Sequence, residues 1–234
     1  MHLFIVTGSS RGLGAAMAAQ LAAPENTVIG IARRIHPGLT AEQWALDLAD
    51  PLPAAERLQA WLRSHGGWQS ATLINNAALL TEPGPLAAAD LAGLSSALRV
   101  GLEAPALLSR VFLAETTGVP VRRLLNISSG LGRRAMAGSA AYCAVKAGLD
   151  HLSRALALEA PDVGVVSLAP GVIDTDMQVQ LRSADPAQFP ERQRFQGLKD
   201  GGQLQTAETT AASILRYLLL PDFGKTVIAD IRDA

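Results

Sequence analysis

Thr7-Gly8-Ser9-Ser10-Arg11-Gly12-Leu13-Gly14 is the stretch on which the fold turns. It follows the apolar run Leu3-Phe4-Ile5-Val6 and opens an Ala-rich run, so its glycines lie between a predicted strand and a predicted helix. In that setting Gly8 permits a tight turn, and Gly12 lets the backbone approach a pyrophosphate. Gly14 lets helix and strand pack closely, with the anion at the helix N-terminus. A glycine turn without a ligand stays open on this motif alone.

Outward from the turn, apolar runs alternate with helical ones. Strands are expected near Leu3–Thr7, Thr27–Ala32, Gln43–Leu46, Ala71–Asn75, Arg123–Ile127, Val163–Leu168 and Thr226–Asp230. Helices are expected near Gly12–Ala23, Ala54–Ser64, Ala89–Thr116 with a bend near Pro105, Ala140–Ala160 and Thr206–Leu220. Nearly continuous apolar strands separated by helices require right-handed parallel crossovers and cover on both faces. The fold class is therefore α/β, a single doubly wound parallel sheet of about seven strands. At 234 residues the chain fits one domain. Between Arg33 and Asp47 one crossover is too short for a full helix, and the polar stretch 178–205 reads as a mobile insertion.

Composition narrows the function. The core is aliphatic, with 49% hydrophobic and 4% aromatic residues, and a formal charge of −1 offers no field for nucleic acid or an anionic membrane. With Cys143 as the only cysteine there is no internal disulfide, and the four scattered histidines make no metal site. Neither a signal peptide nor an apolar run of membrane-spanning length is read, so a cytoplasmic protein is expected. Trp44, Trp61 and Trp68 read as too scattered for an aromatic platform.

Two further constellations carry chemistry. The second strand ends Ile31-Ala32-Arg33-Arg34, where an NAD-specific site would place an acidic residue. Arg33 can clamp a ribose 2′-phosphate and Arg11 can reach toward it, so NADP(H) is favoured, with Arg34 equally readable as a solvated surface residue. Tyr142 and Lys146 lie four apart on a predicted helix and share a face. A lysine charge about 4 Å away is worth about 4 kcal/mol at an effective dielectric near 20, which would lower a phenol toward working range. Asn126-Ile127-Ser128-Ser129 ends a strand at the sheet edge where ligands bind, and a serine there can donate to a developing oxyanion.

Taken in order, these motifs resemble the short-chain dehydrogenase/reductase family over nearly the whole chain, together with Asn75-Asn76-Ala77-Ala78 and Pro170-Gly171 followed by Thr175. The resemblance implies a Rossmann-type fold, hydride transfer to a small-molecule carbonyl, and a homodimer or homotetramer paired through the long fourth and fifth helices. It makes Tyr142 the proton donor, Lys146 the ligand of the nicotinamide ribose, and Ser129, thirteen residues before the tyrosine, the catalytic serine in preference to Ser128. The cofactor would be held by Gly8, Ser10, Arg11, Gly12, Leu13, Gly14, Arg33, Asp47, Leu48, Asn75, Ala77, Tyr142, Lys146, Pro170, Gly171, Val172 and Thr175. Asp47 would contact adenine and the Val172–Thr175 segment the carboxamide.

One position departs from the pattern. Val100-Gly101-Leu102 stands where the family places an asparagine that supports a water-mediated proton relay to the lysine. Water entering the vacated space is one expectation, and slowed turnover the other. Asn126-Ile127-Ser128-Ser129 with Tyr142-Cys143-Ala144 and the brief second crossover resembles the sepiapterin reductase and benzil reductase branch, which implies a dicarbonyl or similarly activated ketone. A non-catalytic NADP(H)-binding regulator is the alternative that Gly101 motivates. An extended-type epimerase would need a longer substrate domain than this length allows.

Overall fold

The computed structural model describes residues 1–233. Its sheet has the strand order β3-β2-β1-β4-β5-β6-β7, every neighbouring pair parallel. The strands are β1 (His2–Thr7), β2 (Asn26–Ala32), β3 (Glu42–Ala45), β4 (Ser70–Asn75), β5 (Val121–Ile127), β6 (Val163–Ala169) and β7 (Ile228–Asp230). The helices are α1 (Gly12–Gln20), α2 (Leu52–Ser64), α3 (Leu91–Leu98), α4 (Ala104–Glu115), α5 (Ala140–Glu159), α6 (Asp176–Ser183), α7 (Arg192–Asp200) and α8 (Ala207–Leu218).

Strand side chains alternate between two cores, as the pleat requires. Leu3 and Ile5 of β1 pack with Leu58, Leu108, Phe112 and Leu156 beneath α2, α4 and α5. Phe4 and Val6 pack with Met17, Ile214 and Leu218 beneath α1 and α8. This double cover confirms the doubly wound α/β class. The strand order reverses between β1 and β4, which opens a crevice beyond their C-terminal ends. The glycine turn follows β1, Asn75 ends β4 and Ser129 follows β5, all at the C-terminal edge of the sheet.

Several boundaries differ from the sequence reading. Helix α1 stops at Gln20, before Pro24, and the last strand shortens to Ile228–Asp230. The long helix expected over 89–116 is two helices joined by a π-helical turn, Arg99–Glu103. Pro105, which has no N–H to return to the carbonyl of Gly101, sits just inside α4 at the end of this turn, and Ala104 donates to the carbonyl of Arg99. Run together, Leu91–Glu115 is long and apolar enough to cross a membrane, contrary to the sequence reading. The apolar residues of its α4 portion are nevertheless spent on the core, where Ala104, Leu108 and Phe112 are fully buried.

The stretch 178–205, expected as a loop, instead carries the rest of α6 and all of α7. Their apolar residues fold onto a third core in which Leu181, Phe189 and Phe195 meet Leu131 and Met136, with Phe189 and Phe195 stacked at 5.8 Å. Spacing hid this because the apolar positions of each short helix find their partners in the loop after β5. The tryptophans, scattered in sequence, are likewise brought together. Trp61 stacks on Trp68 at 5.9 Å and on His65 at 4.1 Å, with Trp44 edge-on to Trp61.

Candidate active site

The glycine turn is shaped by contacts that exclude side chains. Gly8 and Gly12 have φ of 71° and 55°, conformations that L-residues other than glycine rarely adopt. A Cβ on Gly14 would strike the carbonyl of Gly8 at a separation that real Cβ atoms do not show. Thr7 braces the turn from below, its Oγ1 accepting from the backbone N–H groups of Asn76 (2.9 Å) and Ala77 (3.0 Å). Helix α1 begins with no side-chain cap, so its first N–H groups face the crevice. The backbone surface and open helix end fit a pyrophosphate group.

At the adenosine side the arginines divide. Arg33 is exposed just past β2 and makes no ion pair among the described residues. Arg11, expected to reach toward a 2′-phosphate, is instead ion-paired with Asp176 in the first turn of α6. The glycine turn thus touches the segment after β6, where Thr175 also approaches Gly12. Asp47 is exposed beyond β3, its carboxylate accepting from the N–H of Ala49 at 3.0 Å, while the neighbouring Leu48 is buried.

Asn75 and Asn126 face each other across β4 and β5, the Nδ2 of Asn75 donating to Asn126 Oδ1 at 2.9 Å. Asn126 donates in turn to Ser153 on α5 at 2.8 Å. These amides lock the two central strands to the helix that carries the tyrosine.

Tyr142, Ser129, Leu131, Met136, Phe195 and Pro170 line a cavity of about 260 Å³, as do Gly171, Val172 and Thr175. Ser128 and Ser129 separate as their neighbours dictate. Ser128 is 2% exposed and donates to Asp150 Oδ1 at 2.5 Å, whereas Ser129 opens onto the cavity and accepts from the N–H of Leu131 at 3.2 Å.

Lys146 lies behind the tyrosine. Its ammonium donates to the carbonyl of Ile127 at 2.7 Å and sits 5.5 Å from the centre of the Tyr142 ring. The two share one helical face, but the lysine does not bring the phenol down. Burial pushes Tyr142 up to about 12, outweighing the lowering effect of the Ser129 hydroxyl. Burial also pulls Lys146 down to about 8, against the opposing charge of Asp150. The site therefore holds a protonated phenol beside an ammonium that gives up its proton easily.

The space expected beside Gly101 is occupied. A Cβ there would meet Val145 Cγ1 closer than 3.0 Å, so an asparagine side chain does not fit unless Val145 moves. The sequence reading also missed Asp150, although it lies four residues after Lys146 on the same helical face. Ser139, 4% exposed with a hydroxyl that has no partner among the described residues, lines the cavity as well.

Comparison with known proteins gives a consistent picture. Residues 2–186 match the family model described as short chain dehydrogenase. The chain is 35% identical to benzil reductase ((S)-benzoin forming) of Bacillus cereus, across 95% of this chain and 96% of that one. It is 34% identical to sepiapterin reductase of Meriones unguiculatus, across 98% of this chain and 95% of the relative. A metagenomic short-chain oxidoreductase solved in complex with NADP aligns at a TM-score of 0.73 and 26% identity, covering 98% of this chain and 94% of that one.

Proposed function

Because the chain belongs to the short chain dehydrogenase family, and resembles its benzil and sepiapterin reductases, we propose that it is an NADP(H)-dependent carbonyl reductase acting on an activated ketone or dicarbonyl. The observation that carries this reading is the meeting of Tyr142 and Ser129 on one largely apolar cavity, with Lys146 buried beneath the tyrosine.

NADP(H) would lie on the backbone of Gly8, Ser10, Gly12, Leu13 and Gly14, with its 2′-phosphate toward Arg33. Asp47, Leu48, Asn75, Ala77, Pro170, Gly171, Val172 and Thr175 would flank the rest. When bound, the reduced nicotinamide supplies the hydride that adds to the carbonyl carbon. Ser129 donates a hydrogen bond to the carbonyl oxygen and stabilises the charge that develops there. Tyr142, held protonated by its surroundings, delivers its proton to the same oxygen. Lys146 places positive charge under the phenolate that remains. A homodimer or homotetramer in the cytoplasm, working on a small molecule, completes the proposal.

A spectrophotometric screen of NADPH and NADH oxidation against diketones, quinones, pteridines and simple ketones tests it. Turnover of an activated carbonyl with NADPH, lost in Tyr142→Phe, is the expected result. NADPH binding without turnover on any of these would make the chain a non-catalytic regulator instead.

A further inference from the structure

Directly behind the catalytic pair lies a charged group with no assigned task. Asp150 is 1% exposed, one helical turn past Lys146 on α5. Its Oδ1 accepts from Ser128 at 2.5 Å and from Ser167 of β6 at 2.6 Å. Among the described residues its Oδ2 has no hydrogen-bond partner, and it stands 3.5 Å from the Nε of Arg133. Gly132 leaves room for this arrangement, since a Cβ there would meet Asp150 Oδ2 at 2.8 Å and the Lys146 carbonyl at 2.9 Å.

Burying a carboxylate is unfavourable unless nearby charge and donors compensate it. Through Ser128 and Lys146, Asp150 connects to the reacting groups. Ser128 follows Ile127, whose carbonyl takes the Lys146 ammonium, and precedes Ser129, whose hydroxyl faces the cavity. One side chain thus fixes the corner after β5 to α5, and its charge lies within one helical turn of the lysine.

We infer that Asp150 is a positioning residue: its carboxylate keeps Lys146 charged and holds the Ser128–Ser129 corner in register with Tyr142. The charged groups that act on it are Arg133 from the turn after β5 and Lys146 from α5, and Arg133 in turn feels Asp230 at the end of β7. From β6 it meets the neutral Ser167. Arg133 lies beside that carboxylate and Lys146 feels its charge from one helical turn away, so removing either cation changes what the other feels.

The effect on turnover rests on the reductase reading, but the test does not. Lys146, Lys199 and Lys225 are the lysines of the chain, so carbon-13 labelling at lysine Cε gives a spectrum in which Lys146→Arg assigns the buried residue. Its titration is followed in the full-length protein without any substrate. Asp150→Asn is expected to lower the midpoint by about one pH unit, the scale of a unit charge at helical-turn distance in a partly shielded site. Arg133→Gln is expected to raise it by about half a unit, because Asp150 is then left to Lys146 alone. General loosening would not move the two variants in opposite directions. Should Asp150→Asn fail to fold, Arg133→Gln decides alone, since the Arg133 side chain is 31% exposed and lies outside the core. An unmoved midpoint in either folded variant overturns the inference. If no carbonyl is turned over, the reductase reading falls while the titration still reports on Asp150.

Discussion

Val145 fills the place that a side chain at Gly101 would need, one residue before Lys146 and one helix away. The glycine and the valine fit each other as a pair, and the π-turn that carries Gly101 lies flush against α5. A Gly101→Asn substitution is therefore expected to destabilise the protein by about 1–3 kcal/mol through overpacking. Adding Val145→Ala should recover most of that loss in thermal unfolding. Turnover of the double variant above that of the wild type would show that an amide-supported proton route improves this site.

Removing the phenol should separate chemistry from binding. Tyr142→Phe is expected to lower kcat by about 10²-fold or more, the usual scale for loss of a positioned acid, with NADPH affinity little changed. Ser129→Ala should cost about 10²–10³-fold in kcat as its hydrogen bond to the oxyanion disappears. Steady-state kinetics and cofactor fluorescence titration on the same preparations check both.

Lys146 sets a pH window. Burial holds it at about 8, so kcat/KM for carbonyl reduction is expected to be level below that pH and to fall above it as the ammonium loses its proton. Stability runs the other way. The folded protein sheds this proton more readily than the unfolded chain, whose lysine titrates near 10.5, so stability rises between about 8 and 10.5. Tyr142, raised from 10.0 to about 12, takes stability away over that higher range. The melting temperature of the wild type, compared with Lys146→Met and Tyr142→Phe from pH 7 to 11, resolves the two effects.

Arg11 is held by Asp176, and Arg33 is not. Arg33→Ala should raise the KM for NADPH by about tenfold and leave that for NADH nearly unchanged, as loss of a charge-assisted contact to a phosphate predicts. Asp176→Asn frees Arg11 and should lower the NADPH KM about two- to fivefold. The gain is small because an exposed ion pair holds little energy.

Phe189 is fully buried in the small core under α6 and α7. Phe189→Ala should destabilise the protein by about 3–5 kcal/mol if this core unfolds with the rest. An unfolding transition split in two would show that it melts separately.

The sheet was legible because several of its strands are apolar almost without interruption, and Gly8, Gly12 and Gly14 mark its first turn. Ser129, Tyr142 and Lys146 could be found because motif spacing survives in one dimension. Contacts between elements distant in sequence could not. Nothing local links Gly101 to Val145 or Arg11 to Asp176, and only the fold shows that Phe195 and Met136 share a core. Proton affinities were hidden too, since the burial that governs Tyr142 and Lys146 is a property of the assembled cavity rather than of a four-residue interval.

The sheet ends on both sides in its shortest strands, four residues in β3 and three in β7. An unpaired strand edge is where one chain can recruit another into a growing fibril, and its length sets how many backbone bonds a newcomer can make. Here either border offers only a few. Concentrated solutions and slow refolding should consequently yield dispersed protein rather than fibrous precipitate, which favours this scaffold for preparative use.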